Sequence, residues 1–172
     1  MPLARAVMHA QGEVLHVAQW PWVRDLHLLC SRQYAFEGQC FVAASGCSMS
    51  RGEMLDGFDS LGVDEQGARD LLESIPGDAD TPMLRGGSTL IAPDTELVAG
   101  PEIDSGATVY GQVEPDRIEE GRMYLDTDGH YSRPDVFLLQ VDTDPRANVM
   151  VPDPHQDHED DHDHDHDHDH DH

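Results

Sequence analysis

The chain has 172 residues, with 35 acidic residues against 10 basic ones and a formal net charge of −25. That charge repels phosphate backbones, so nucleic acid is not an expected partner. No apolar run approaches the ~18 residues a membrane span needs, and no charged-then-apolar leader precedes a cleavage site, so a soluble, cytoplasmic protein is expected.

Pro2 opens a short helix through Leu3, Ala6, Val7 and Ala10, which stops near Gly12. Val14 to Ala18 is an apolar run of strand length, closed by Trp20-Pro21-Trp22. Arg24 to Phe36 has helical periodicity through Leu26, Leu29, Gln33 and Phe36, with Cys30 on the leucine face and Gly38 ending the helix. Cys40 to Ala44 reads as a second, buried strand. Helix–strand–helix–strand alternation predicts parallel pairing with helices packed on a sheet.

Residues 48–83 break this rhythm. Met54-Leu55 and Ala68 to Ile75 can form short helices, but their surroundings are rich in Gly, Asp and Pro. This stretch reads as a solvent-exposed insertion. Ser88 to Ala92, the turn Pro93-Asp94-Thr95 and Glu96 to Ala99 form a hairpin by turn chemistry. Thr108 to Val113 alternates as a further strand, Pro115 or Asp116 starts a helix, and Phe137 to Val141 is the last strand-like piece.

From Pro152 onward the sequence is low in complexity, and it ends in alternating Asp and His. With nothing apolar to bury, residues 151–172 are expected to be a disordered tail. His155, His158, His162, His164, His166, His168, His170 and His172 are imidazoles among carboxylates. Such a run has incidental affinity for Ni²⁺, Zn²⁺ or Cu²⁺ through interchangeable ligand sets.

All the basic residues are arginine; lysine is absent. Removing the tail's ten acids leaves 25 against 10 arginines in the rest of the chain, a net of −15. A GC-rich genome accounts for missing lysine. The surplus of carboxylates fits a surface working in molar salt, where a Debye length of ~3 Å screens self-repulsion. Cys30, Cys40 and Cys47 form no C-x-x-C pair, so neither a zinc knuckle nor a disulfide framework is indicated. Cys30 and Cys40 read as small core hydrophobes.

Three blocks stand in a telling order: Tyr34-Ala-Phe-Glu-Gly-Gln-Cys-Phe-Val-Ala-Ala44, then Arg85-Gly86-Gly87-Ser88 through Gly100-Pro101, then His130-Tyr-Ser-Arg-Pro-Asp-Val-Phe137. Together they resemble the C-terminal half of a nitrilase, over roughly residues 1–145. In that family the nucleophilic cysteine lies in a Cys-Trp-Glu-x-x-Met-Pro-Leu run, and this chain opens with Met1-Pro2-Leu3. The resemblance implies an α/β fold, a partial αββα sandwich over residues 1–150, paired as a homo-oligomer or with a missing N-terminal half. It implies a small-molecule nitrile as substrate of the complete enzyme, hydrolysed to a carboxylic acid and ammonia through a thioimidate and a thioester on cysteine, with no cofactor.

The family's Glu, Lys and Cys all lie before the point where this sequence starts, and a chain without lysine cannot supply the Lys. No catalytic residue is therefore expected here, and the isolated chain is expected to be inactive. The residues that would support a site are Gln19, Trp20 and Pro21, at the C-terminal end of a strand, with Glu37, Gly86, Gly87 and His130. Gln19-Trp20-Pro21-Trp22 either borders the pocket or is a packing loop. Glu37 fits orientation or local capping better than a general base. Gly86-Gly87 permits close backbone approach or is a plain strand-entry turn. His130 either positions a partner or hydrogen-bonds backbone, and Arg133 is expected to pair with Asp135 or Asp128. The different-class alternative is a non-catalytic acidic protein whose tail handles metal.

Overall fold

A computed structural model describes residues 2–144. The tail histidines and the predicted metal chemistry of residues 151–172 lie outside the described residues. Residues 1–139 form one compact unit, and residues 140–172 form a second. Of the second, residues 140–144 are described and carry no regular structure; the Asp142 carboxylate accepts from the Asp144 backbone N–H at 3.0 Å.

The first unit runs α1 (Pro2–Ala10), β1 (Leu15–Trp20), α2 (Asp25–Gly38), β2 (Phe41–Gly46), β3 (Ser48–Ser50), α3 (Arg51–Ser60), α4 (Gln66–Glu73), β4 (Pro82–Ile91), β5 (Leu97–Ile103) and α5 (Asp116–Arg122). The mixed α/β architecture expected from the sequence is present. β1 and β2 pair in parallel, with Leu15 opposite Phe41 and Trp20 opposite Gly46. The crossover through α2 makes that pairing possible. β4 then lies antiparallel to β2 and carries β5 and β3 along different stretches of its length.

The core divides across the sheet because strand side chains alternate between faces. On one face Cys40 and Val42 meet Ile91 and, from α2, Tyr34 and Ala35. On the other, Phe41 meets Leu90, Ala92 and Ile118 of α5, with Ala43, Val98 and Ala99 packed against them. On that second face the apolar Val17 of β1 is 59% exposed.

Three expectations need correction. The leucines of α2 point outward: Leu26 is 72% and Leu29 63% exposed, and Cys30 lies with them. The helix buries Ser31, Tyr34 and Ala35 instead, because small residues let it approach a strand of Cys40, Val42 and Ala44 closely. Gly38 is its last residue, as expected, and the left-handed residue that caps it is Gln39 (φ 45°). Thr108 to Val113 forms no strand and joins no ladder; it crosses a sheet face, where a Cβ at Gly111 would lie 2.6 Å from the Leu90 side chain. No strand forms over Phe137 to Val141, and the Val136 and Phe137 amides instead close a turn on the Arg133 carbonyl, both at 2.9 Å.

Within residues 48–83, α3 and α4 are two short helices without buried residues. Ser50 and Glu53 form a reciprocal capping box at the start of α3. Arg51 ties α3 to the end of α4, donating to the carbonyls of Ile75 and Glu73, both at 2.8 Å. The sequence reading missed β3 and the first six residues of β4, which anchor this stretch to the sheet.

Candidate functional site

At the C-terminal ends of the parallel strands, three backbone segments lock together. The Val23 amide donates to the Gly86 carbonyl at 2.9 Å, the Gly86 amide to the Cys47 carbonyl at 2.8 Å, and the Cys47 amide to the Pro21 carbonyl at 3.1 Å. Glycine is required for this proximity. A Cβ on Gly87 would stand 2.4 Å from the Val23 carbonyl oxygen, and one on Gly46 would stand 2.2 Å from the Gly86 carbonyl oxygen. Gly86 and Gly87 also hold φ of 73° and 84°, the left-handed region that glycine enters without steric cost. Ser88 closes the junction, its Oγ accepting from the Gly46 amide at 3.1 Å.

The side chains of the β1–α2 loop are fixed as well. Trp20 donates its indole N–H to Ser31 Oγ at 3.3 Å and lies against the His27 ring at a centroid distance of 4.6 Å. The Arg24 guanidinium sits 5.3 Å from the Trp22 ring centroid, within cation–π range. Trp20 and Ala4 of the first turn of α1 line one cavity of about 340 Å³, so the start of α1 opens at the same end of the sheet. Gln19 is exposed beside them.

Five of the seven residues singled out in the sequence, Gln19, Trp20, Pro21, Gly86 and Gly87, therefore converge on one junction. Glu37 and His130 do not join them. Glu37 lies at the far end of α2, bonded to Arg5 at 3.1 Å and to Gln33 at 2.6 Å. His130 is in the loop that reaches this opposite end, where Thr127 donates to the Glu37 carbonyl at 2.9 Å. Its backbone amide donates to Asp126 at 3.1 Å and its ring meets Tyr131 edge-on. Arg133 forks onto Asp135 with two bonds of 2.8 Å, one of the two pairings expected.

The sequence reading overlooked Val23, Cys47, Ser31 and Ser88. Only Gly46-Cys47, a glycine directly after a buried strand, carried a signal that could have found one of them. Cys40 is wholly buried, and burial pushes its thiol up to about 12. Among the described residues no group of three or more His, Cys, Asp or Glu side chains is placed to hold a metal ion.

The carbon–nitrogen hydrolase family model matches residues 1–123. The chain belongs to the carbon–nitrogen hydrolase family. It is 31% identical over 149 residues to a nitrilase of Bradyrhizobium diazoefficiens, covering 87% of this chain and 42% of that one. An aliphatic nitrilase of Rhodococcus rhodochrous is 31% identical over 154 residues, covering 83% and 37%. Nitrilase 1 of Arabidopsis thaliana is 32% identical over 155 residues, covering 87% and 41%. The chain thus spans about two fifths of the length of these nitrilases. No helix among the described residues is long and apolar enough to cross a membrane.

Proposed function

We propose that this chain is the part of a nitrilase that follows the nucleophilic cysteine, and that the complete enzyme hydrolyses a nitrile to a carboxylic acid and ammonia. The observation that carries the reading is the convergence of Trp20, Pro21, Gly86 and Gly87 with the opening of α1 at the C-terminal ends of β1 and β2. Open parallel strands place their sites at that end. A thiolate positioned just before α1 would be held by the helix's free N–H groups and dipole. The braced loop would then form a wall of the nitrile pocket.

In this reading the cysteine adds to the nitrile carbon to give a thioimidate. A first water releases ammonia and leaves a thioester, and a second releases the acid. The base, the cation and the nucleophile come from residues outside this sequence, which contains no lysine. The chemistry calls for no metal or cofactor. The exposed apolar face around Leu15 and Val17 is the surface that the remaining part of the domain, in a two-sheet sandwich, would cover. The carboxylate surplus supports function in concentrated salt, and the eight tail histidines support a separate, dispensable capacity for divalent metal.

The test is to purify the chain with a separately expressed N-terminal half of a close nitrilase and measure ammonia release from aliphatic and aromatic nitriles. The proposal expects the halves to co-purify and turn over nitrile while neither does so alone. Failure to associate in both dilute and molar salt would refute it.

A further inference from the structure

Apolar packing does little to fix α1. Of Leu3 to Ala10 only His9 is buried, while Leu3 is 67% and Met8 39% exposed. Ala4 and Met8 are separated from Ala18 of β1 and Val42 of β2 by the cavity of about 340 Å³ that all four line. The contacts that hold the helix are polar, and they follow one stripe. Arg5, His9 and Glu13 recur at intervals of four residues, a single helical face continued just past the helix end.

That stripe meets α2. Arg5 pairs with Glu37 at 3.1 Å, but both side chains are part-exposed, so this bond is the weaker one. The His9 ring meets the Tyr34 ring edge-on at a centroid distance of 4.6 Å. It also lies so near Gly38 that a Cβ there would stand 2.5 Å from it. Glu13 is bound twice: the Tyr34 hydroxyl donates to its Oε2 at 2.5 Å, and His16 Nδ1 lies 2.8 Å from its Oε1. His16 stacks on Tyr34 with ring centroids 3.9 Å apart. Tyr34, buried on α2, therefore touches His9, Glu13 and His16 together. Burial and the Glu13 carboxylate hold its phenol well above the ordinary range, so it stays protonated and donates. A covered hydrogen bond to a charged carboxylate is among the stronger kinds.

We propose that Tyr34 is a positioning residue for the nucleophile: by its hydrogen bond to Glu13 it fixes the C-terminal end of α1 and so aims the N-terminal end, where the thiolate would sit. The inference rests on the reading of this chain as the part of a nitrilase that follows the cysteine. Nine helical residues span about 13 Å, so a tilt of about 5° at the fixed end carries the other end about 1 Å. A misplacement of about 1 Å can cost up to about 100-fold in rate.

The experiment uses Tyr34→Phe, which keeps the ring that His9 and His16 touch and removes only the hydroxyl. Tyr124→Phe, at an exposed tyrosine, is the control. In the full 172-residue chain, α1 amides should exchange hydrogen about tenfold faster in Tyr34→Phe, with β2 and β4 amides and the control unchanged. In the chain reassembled with an N-terminal half, Tyr34→Phe should lower kcat by about tenfold or more at little-changed KM. Unchanged α1 exchange, or an equal speeding of β2 and β4, would overturn the inference. So would undiminished kcat in an assembly that turns over. Wild-type halves that associate but release no ammonia would overturn the nitrilase reading itself, and this inference with it.

Discussion

Replacing Gly87 by alanine tests the junction of the three loops directly. The substitution places a Cβ 2.4 Å from the Val23 carbonyl oxygen and 3.1 Å from the Val23 Cβ, and asks an L side chain to hold φ 84°. The left-handed conformation alone costs about 1–2 kcal/mol. The overlap is with backbone, which cannot rotate away, and adds a further ~1–3 kcal/mol of the kind seen when cores are overpacked. Gly12→Ala is the matched control: its φ is 72°, but nothing lies within 4 Å of the new Cβ. It should lose only the conformational term. Urea unfolding of both variants should therefore show Gly87→Ala the less stable by about 1–3 kcal/mol. Equal losses would mean that the 19–23 loop does not press on β4, and the argument for a braced wall would fail.

Thiol labelling of the native chain should modify Cys30 and Cys47, which are exposed, and spare Cys40, which is buried with its thiol pushed up to about 12; labelling of Cys40 before unfolding would contradict the core assignment. Stability should fall on acidification below pH 6.5, because His9 is held below that value by burial, and the unfolded chain then binds the proton more readily than the folded one. His9→Phe should flatten that part of a melting-temperature profile. Asp128 works in the opposite sense and at lower pH, its carboxyl being raised above 3.8 by burial, so the stability it contributes is lost as pH rises through that region. If the surface is salt-adapted, the melting temperature should climb steadily between 0.1 and 2 M KCl; a flat or falling response would remove that reading.

Local chemistry made much of this fold legible. Val14 to Ala18 and Cys40 to Ala44 were visible as apolar runs around a helix, overlapping β1 and β2, and their alternation with helices predicted the parallel pair. The 93–95 turn was visible in Pro93-Asp94-Thr95, where Asp94 accepts from the Glu96 amide at 3.0 Å. The inward face of α2 was not. Leucine periodicity normally marks burial, but here Ser31 and Ala35 face a sheet that demands close approach, and Leu26 and Leu29 face outward. Thr108 to Val113 failed for a different reason: alternation reports two faces, not a hydrogen-bonding neighbour, and this segment lies across the sheet. At the site, Gly86 and Gly87 were readable because backbone approach needs glycine. Glu37 belongs to the right sequence block, yet the length of α2 carries it to the opposite end, and the loop after α5 takes His130 there, where Thr127 bonds the Glu37 carbonyl.

The central claim is that this chain supplies the wall of a nitrile site whose nucleophile lies in another segment. The most direct measurement is intact-mass and peptide analysis of the reassembled halves, quenched during a single turnover with a slowly hydrolysed nitrile. The claim predicts a thioimidate or thioester adduct on the cysteine of the added half, and none on Cys30, Cys40 or Cys47. An adduct on any of those three, with nitrile hydrolysis by the unaccompanied chain that disappears when that cysteine becomes alanine, would contradict it.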